Sequence, residues 1–398
     1  MFFSRRIPHA RSLAAGLVCA ALALAWQALT VRYNYGGNWT GLFCTGANQR
    51  IPGELAAERI YVLPNSDGFD GQFYHYLAHD PLLRSGLTRY IDAPRLRCRR
   101  ILVPALAFLL AGGRQRHIDG AYLAAVLLFV FLGGYWLSRF AVLHGRHFGW
   151  GILFLTLPGV LTSIDRMTID VALAAFWAGF AVYAARSDSR GVYWVLALAA
   201  LTRETGIVLA ATYCLYMLWQ RQIVKASWAG LTLLPSLAWY LYVFLTLPPD
   251  TNGWAVLRVG GLLAAVLNPF PYPWSAPYNA FVIAVDYLAL AGILLAVFLA
   301  LREVIRRSRG ILEFAVAVQG VLGLVFVVFG SRDTWVHIYG YARLLSPVVE
   351  LLALRSLSRK SRADLLPFPM VLPRFALQWG GQALAIARGL AAPFTGGS

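Results

Sequence analysis

The chain has 398 residues, of which 59% are hydrophobic and only 13% charged, whereas a water-soluble domain carries about 25% charged residues. Its net charge of +17 would suit nucleic acid, but the basic residues gather at the ends of long apolar blocks, the pattern that membrane sidedness imposes. Composition therefore excludes a soluble enzyme and a nucleic-acid partner, and it predicts an all-α, polytopic membrane helical bundle.

In chain order, Arg6 and Arg11 precede an apolar run from Ser12 to Val31. Ala23-Leu24-Ala25 mimics a leader cleavage site, but the run is long enough to span and is expected to be retained. Ten spans are predicted, at about 12–32, 119–138, 148–164, 170–186, 191–204, 206–220, 227–247, 278–301, 310–329 and 337–354. Several are short for a core of about 30 Å at about 1.5 Å per residue, and read as tilted or partly buried helices. Ile101–Ala111 and Trp254–Leu267 read as re-entrant or interfacial helices.

The positive-inside rule supports this assignment. With the N-terminus cytoplasmic, Arg139, Arg146, Arg186, Arg190, Arg221, Lys225, Arg302 and the Arg355–Arg362 group all fall in cytoplasmic connections. Counting Ile101–Ala111 as a crossing would invert everything after it. The expected organisation is a transmembrane domain over 1–354, a large extracytoplasmic loop over 33–118 and a cytoplasmic tail over 355–398. Both termini are then cytoplasmic. In the tail, Arg374–Leu390 reads either as an amphipathic interfacial helix or as a loosely ordered segment.

Cys19 and Cys214 sit in apolar segments and read as small core residues. Cys44 and Cys98 share the large outer loop, where a disulfide and two free thiols are both open readings. No P-loop, HExxH or CxxC motif occurs. Asn38-Trp39-Thr40 fits a glycosylation acceptor, a pattern common by chance.

The densest chemistry lies in Asp67–Pro81, DGFDGQFYHYLAHDP. Asp70 is placed to cap a short helix over Gly71–His79 that ends at Asp80-Pro81. Phe73, Tyr74 and Leu77 share one face of it, which predicts a helix lying along the membrane interface. Asp67 and Asp70 then stand near headgroup level, where two carboxylates suit a general base and its partner, or a divalent cation. The structural alternative is a capping aspartate and a solvated loop aspartate. Further on, Arg95, Arg97, Arg99 and Arg100 run straight into an apolar helix. They suit a phosphate clamp, because guanidinium forks match phosphate oxygens, or equally contacts with headgroups and acidic loops. Ionisable residues also crowd the outer span ends: Asp165, Arg166, Asp170, Arg203, Glu204, Arg332, Asp333, His337 and Arg343. Singly they read as ion pairs; together they predict an outer cavity, roofed by the Pro/aromatic loop Asn268–Asn279.

These features resemble the GT-C class of membrane glycosyltransferases. FDGQFYHYLA (residues 69–78) is similar to the Trp-Asp…Phe…Ile-Ala segment of the GPI-mannosyltransferase-like family, and to the Asp-Gly-Gln-Phe-Tyr version in bacterial relatives. RLRCRRILVP (95–104) resembles the family's Arg…Arg-Ile-Leu-Tyr-Pro, although Val103 replaces the usual aromatic before Pro104. LTRETG (201–206) and GYARLLSP (340–347) add to the likeness, which extends over roughly Ser12 to Leu354. The resemblance implies an enzyme of the bacterial inner membrane that transfers a sugar from a polyprenyl-phosphate donor to a glycan, lipid or protein acceptor. By that likeness Asp70 is the base and Asp67 its helper or a metal ligand. Arg97 and Arg100 hold the donor phosphate, with Arg203 and Arg343 assisting. Gln72, Tyr74, Asp165, Asp170 and His337 contact substrate. Some members of the class use a divalent cation, magnesium or manganese, and some use none, so the resemblance leaves metal use open. The competing expectation is a transporter or flippase of lipid-linked or anionic substrates. Paired repeats and mid-membrane polar residues would mark one; the chain shows no repeat, and its ionisable residues lie toward one face.

Overall fold

The computed structural model describes residues 6–250, 259–272, 275–306 and 310–395. Residues 254–258 of the expected helix Trp254–Leu267, and residues 273–274 of the Pro/aromatic loop, lie outside these. Among the described residues the only sheet pairs β1 (Thr45–Gly46) with β2 (Val62–Leu63) in parallel. The other regular structure is helical. The helices are α1 (Arg6–Asn34), α2 (Asp70–His79), α3 (Pro94–Cys98), α4 (Leu102–Leu110), α5 (Ile118–Leu143), α6 (Pro158–Arg166), α7 (Asp170–Ala185), α8 (Ser189–Thr202) and α9 (Glu204–Trp219). They continue with α10 (Ile223–Leu231), α11 (Leu234–Thr246), α12 (Gly261–Leu267), α13 (Ala276–Arg306), α14 (Ile311–Phe329), α15 (Arg332–Trp335), α16 (Ile338–Leu344), α17 (Ser346–Arg359) and α18 (Pro367–Thr395).

Among the described residues, five helical segments are long and apolar enough to cross a membrane: His9–Asn34, Gln115–Leu143, Ile223–Thr246, Ala276–Arg306 and Ile311–Phe329. Phe148–Thr156 with α6, bent by 65°, makes a sixth if taken as one span. This composition is what an integral membrane protein requires, but the expected count of ten is not reached. The segments at 170–186, 191–204 and 206–220 fold as α7, α8 and α9, of 16, 14 and 16 residues. These are about 21–24 Å long at 1.5 Å per residue. The segment at 337–354 breaks at Leu345, between α16 and α17. α7 is buried from Asp170 to Val182, so its all-round apolar sequence serves packing against α5, α8 and α17 rather than lipid contact. Ile101–Ala111 behaves as expected of a non-crossing helix: α4 has nine residues and turns back through Gly112-Gly113 onto α5.

Helix polarity sorts the charges. α1 and α5 run antiparallel, tied by Ser138 and Ser12 hydroxyls 3.1 Å apart. Asp70, Asp165, Asp170 and Arg203 consequently share one end of the bundle. At the other end, the fully buried Glu303 receives Arg355 (3.0 Å), Arg306 (3.2 Å) and Arg359 (3.4 Å), and Arg355 also pairs with Asp364 (2.6 Å).

The tail departs from expectation. It was expected on the opposite side from Asp165, yet α18 runs antiparallel to α13 and along α1, ending at the Asp70 end. Arg374 pairs with Asp286, Trp379 stacks on Trp26 with centroids 4.7 Å apart, and Gln382 Nε2 donates to Asp165 Oδ1 (2.8 Å). Its apolar face, with Phe368, Val371 and Phe375 buried, seats on protein rather than on a bilayer surface.

Candidate active site

α2 is held on all sides rather than lying at an interface: every residue from Gly71 to His79 is buried. Two glycines permit this. Gly68 adopts φ +72°, and a Cβ there would also lie 2.5 Å from Cys44 O, so only glycine fits the entry to the helix. A Cβ on Gly71 would sit 2.1 Å from Arg166 O, so a side chain would push α2 off the end of α6. Phe69, extended at φ −143°, is the N-cap. Asp70 is therefore the first helical residue and not the expected cap. Its carboxylate is free to face elsewhere.

It faces arginines. Arg97 Nη1 lies 3.0 Å from Asp70 Oδ1, and Arg343 Nη2 donates to Oδ2 at 2.6 Å. Arg97 is steadied from behind by a two-point pairing with Asp92, one contact being 2.7 Å, and its guanidinium lies 4.4 Å over the Phe73 ring. Arg343 lies over Phe69 (5.3 Å), and its Nε stands 3.6 Å from Asp170 Oδ2. Asp170 is itself paired with Arg203. Nearby, Arg100 Nε bonds Glu204 (3.1 Å) and its Nη1 donates to Tyr74 Oη (2.9 Å). Four guanidinium groups thus interleave with Asp70, Asp92, Asp170 and Glu204.

Burial works against ionisation of Asp70, but Arg343, Arg97 and Arg100 outweigh it and hold the carboxyl well below the usual range. Both its oxygens are occupied by guanidinium groups. Asp67 is exposed and accepts from Asn48 Nδ2 (3.2 Å). A hard divalent cation needs converging oxygens free of competing positive charge, so Asp67 and Asp70 do not fit the magnesium or manganese site expected of them.

The structure thus brings together Asp70, Arg97, Arg343, Asp170 and Arg203, with Arg100 and Tyr74 alongside. It does not bring in the others. Gln72 is buried and shapes the preceding loop, accepting from Gly46 N (3.2 Å) and donating to Asp67 O (3.0 Å). Asp165 belongs to an adjoining cluster with Tyr339 Oη (2.6 Å), Arg166 (2.9 Å) and Gln382. His337 lies tilted against Phe270, ring centroids 4.9 Å apart. Cys44 and Cys98 are buried free thiols; Cys98 lies in an apolar cluster, while Arg166 Nη1 lies 3.0 Å from Cys44 Sγ. The disulfide reading is set aside.

Five residues escaped the sequence reading. Asp92 anchors Arg97, and its only signal was proximity in IDAPRLR. Glu350, 1% exposed, lines a small cavity with Asp170, Arg203, Thr205 and Arg343. His75 and His79, four residues apart on α2, meet Asp119 of α5; the i, i+4 spacing was visible, the aspartate was not.

Fold and site define an all-helical protein, fit for a membrane, with a buried arginine–carboxylate cluster at one end. Comparison of the chain with protein-family models, curated proteins and solved structures gives no match.

Proposed function

We propose that the protein is a membrane glycosyltransferase, moving a sugar from a polyprenyl-phosphate donor to an acceptor hydroxyl on the extracytoplasmic side, with Asp70 as the base. The observation that carries this reading is the position of Asp70 on the first turn of a buried helix, between Arg97 and Arg343. A carboxylate so paired is a weak base at rest. An arriving phosphate offers the same guanidinium forks a better-matched anion. Drawing Arg97 and Arg343 toward the phosphate frees Asp70. Arg343 has the donors for it, since its Nε and Nη1 have no hydrogen-bond partner among the described residues.

In the transfer, the acceptor oxygen bonds to the anomeric carbon as the bond from that carbon to the donor phosphate oxygen breaks. The hydroxyl proton passes to Asp70, and the lipid phosphate leaves with its charge on the arginines. Tyr74 and Glu204 position Arg100, and Asp92 positions Arg97.

The test is incorporation of labelled sugar from lipid-phosphate donors into membranes holding wild type or Asp70→Asn. Equal incorporation, or none by wild type with any donor, would refute the reading. Two-sided labelling of a cysteine at position 70 must report the extracytoplasmic face.

One observation favours the transporter reading instead: the helix breaks at Leu345 beside the buried Glu350, a combination suited to alternating access. Donor turnover without sugar incorporation, as uptake into vesicles, would select it.

A further inference from the structure

His75 and His79 project from the same face of α2, one turn apart. Their Nε2 atoms are 3.2 Å from one another, and Asp119 Oδ1 lies 2.6 Å from the first and 3.8 Å from the second. One ligand atom from each residue therefore falls within a 4.8 Å cluster. Four-coordinate zinc with bonds near 2.0–2.1 Å separates its ligand atoms by about 3.3 Å in a tetrahedron, close to two of these spacings. The third opens by under an ångström when the His75–Asp119 hydrogen bond gives way to metal bonds.

The surroundings are built for ligation. His79 Nδ1 faces Gln115 Oε1 at 2.5 Å, and Gln115 Nε2 is itself anchored on His79 O (3.2 Å). An amide oxygen can only accept, so Nδ1 carries the proton and the Nε2 lone pair points into the cluster. That is the outer-shell contact that orients metal-bound histidines. His75 Nδ1 is buried with no hydrogen-bond partner among the described residues, so the ring's proton can sit there once Nε2 turns to an ion. The His75 ring is clamped by stacking on Phe43, centroids 4.1 Å apart. Asp119 keeps 22% of its side chain exposed, an approach for the ion and a place for water as fourth ligand.

We propose that His75, His79 and Asp119 form a site for a divalent transition-metal ion of the zinc type, which clamps α2 against the start of α5. The ligands are nitrogen-rich, unlike an all-oxygen magnesium or calcium site. The site lies away from Asp70: five residues along α2 advance about 7.5 Å and turn the side chain to a different face. The ion is thus a structural clamp holding the helix that presents Asp70, and it stands whether or not the chain is a glycosyltransferase.

The test is metal content of the purified full-length protein in detergent, measured by elemental analysis after dialysis against micromolar zinc. About one zinc per chain is expected in wild type and in Asp70→Asn, and none in His75→Ala/His79→Ala. Gln115→Leu, which spares all three ligands, should weaken zinc binding about 10–100-fold. Cobalt loaded in place of zinc should give the visible absorption of a tetrahedral nitrogen–oxygen site, a readout that needs no variant. Wild type that binds neither zinc nor cobalt, or a double-histidine variant that keeps its zinc, would overturn the proposal.

Discussion

Arg343→Ala tests the central pairing most directly. The substitution removes a 2.6 Å charge-assisted bond to Asp70 and the contact over Phe69. The bond is worth about 1.5–3 kcal/mol and the cation–π contact about 0.5–2 kcal/mol. Neither carboxylate is orphaned, because Asp70 keeps Arg97 and Asp170 keeps Arg203. The full cost of about 3–5 kcal/mol for an abandoned buried charge therefore does not apply, and a loss of about 2–4 kcal/mol is expected. The loss depends on pH with a definite sign. Asp70 is held below its unfolded range, and Arg343 is the largest of the groups lowering it. The stability it lends is present above the unfolded carboxyl value of about 3.9 and fades as pH falls below that. Denaturant titration in mixed micelles should show wild type and variant far apart at pH 7 and converging in acid. Transfer activity should add a second signature, with the acid limb of the variant's pH–rate profile moved to higher pH. A gap in stability that is the same at pH 7 and in acid, or an acid limb that does not move, would refute the reasoning.

Other outcomes follow from the same geometry. Asp70→Asn should cost about 100–10,000-fold in sugar transfer, whereas Asp67→Asn, on an exposed loop residue, should stay within a few-fold; paired activity assays decide. Gly71→Ala should destabilise by about 1–3 kcal/mol, since its Cβ would meet Arg166 O at 2.1 Å, and a thermal-shift measurement would show it. Glu303→Gln should lower stability by about 1–3 kcal/mol, because Arg355 and Arg359 keep Asp364 and Glu313, without changing the transfer rate of the protein that remains folded.

Much of the site was legible before folding, because its residues cluster in short stretches. Asp70 lies in DGQFY and Arg97 with Arg100 in RLRCRR; Arg203 and Arg343 stand at span ends where charge is costly. What could not be read was the pairing. Asp92 or Asp67 might equally have met Arg97, and only the packed fold assigns Asp92. The expected cap failed because Phe69 takes the extended conformation that Gly68 allows, moving Asp70 one position into the helix. The tail was misplaced because an amphipathic pattern reports that one face is apolar and is silent on whether lipid or protein covers it.

What the linear chain determined by itself was solvent and secondary structure. Apolar blocks of about 20 residues satisfy their backbone polar groups within the segment as helices, whether lipid or other helices surround them. What only the tertiary structure decided was which charges meet and which helices are packed inside the bundle, since both depend on neighbours distant in sequence. Asp70 and Arg343 are 273 residues apart. Their bond exists because α2 and α16 are packed at the same end of one bundle, and no local pattern encodes that.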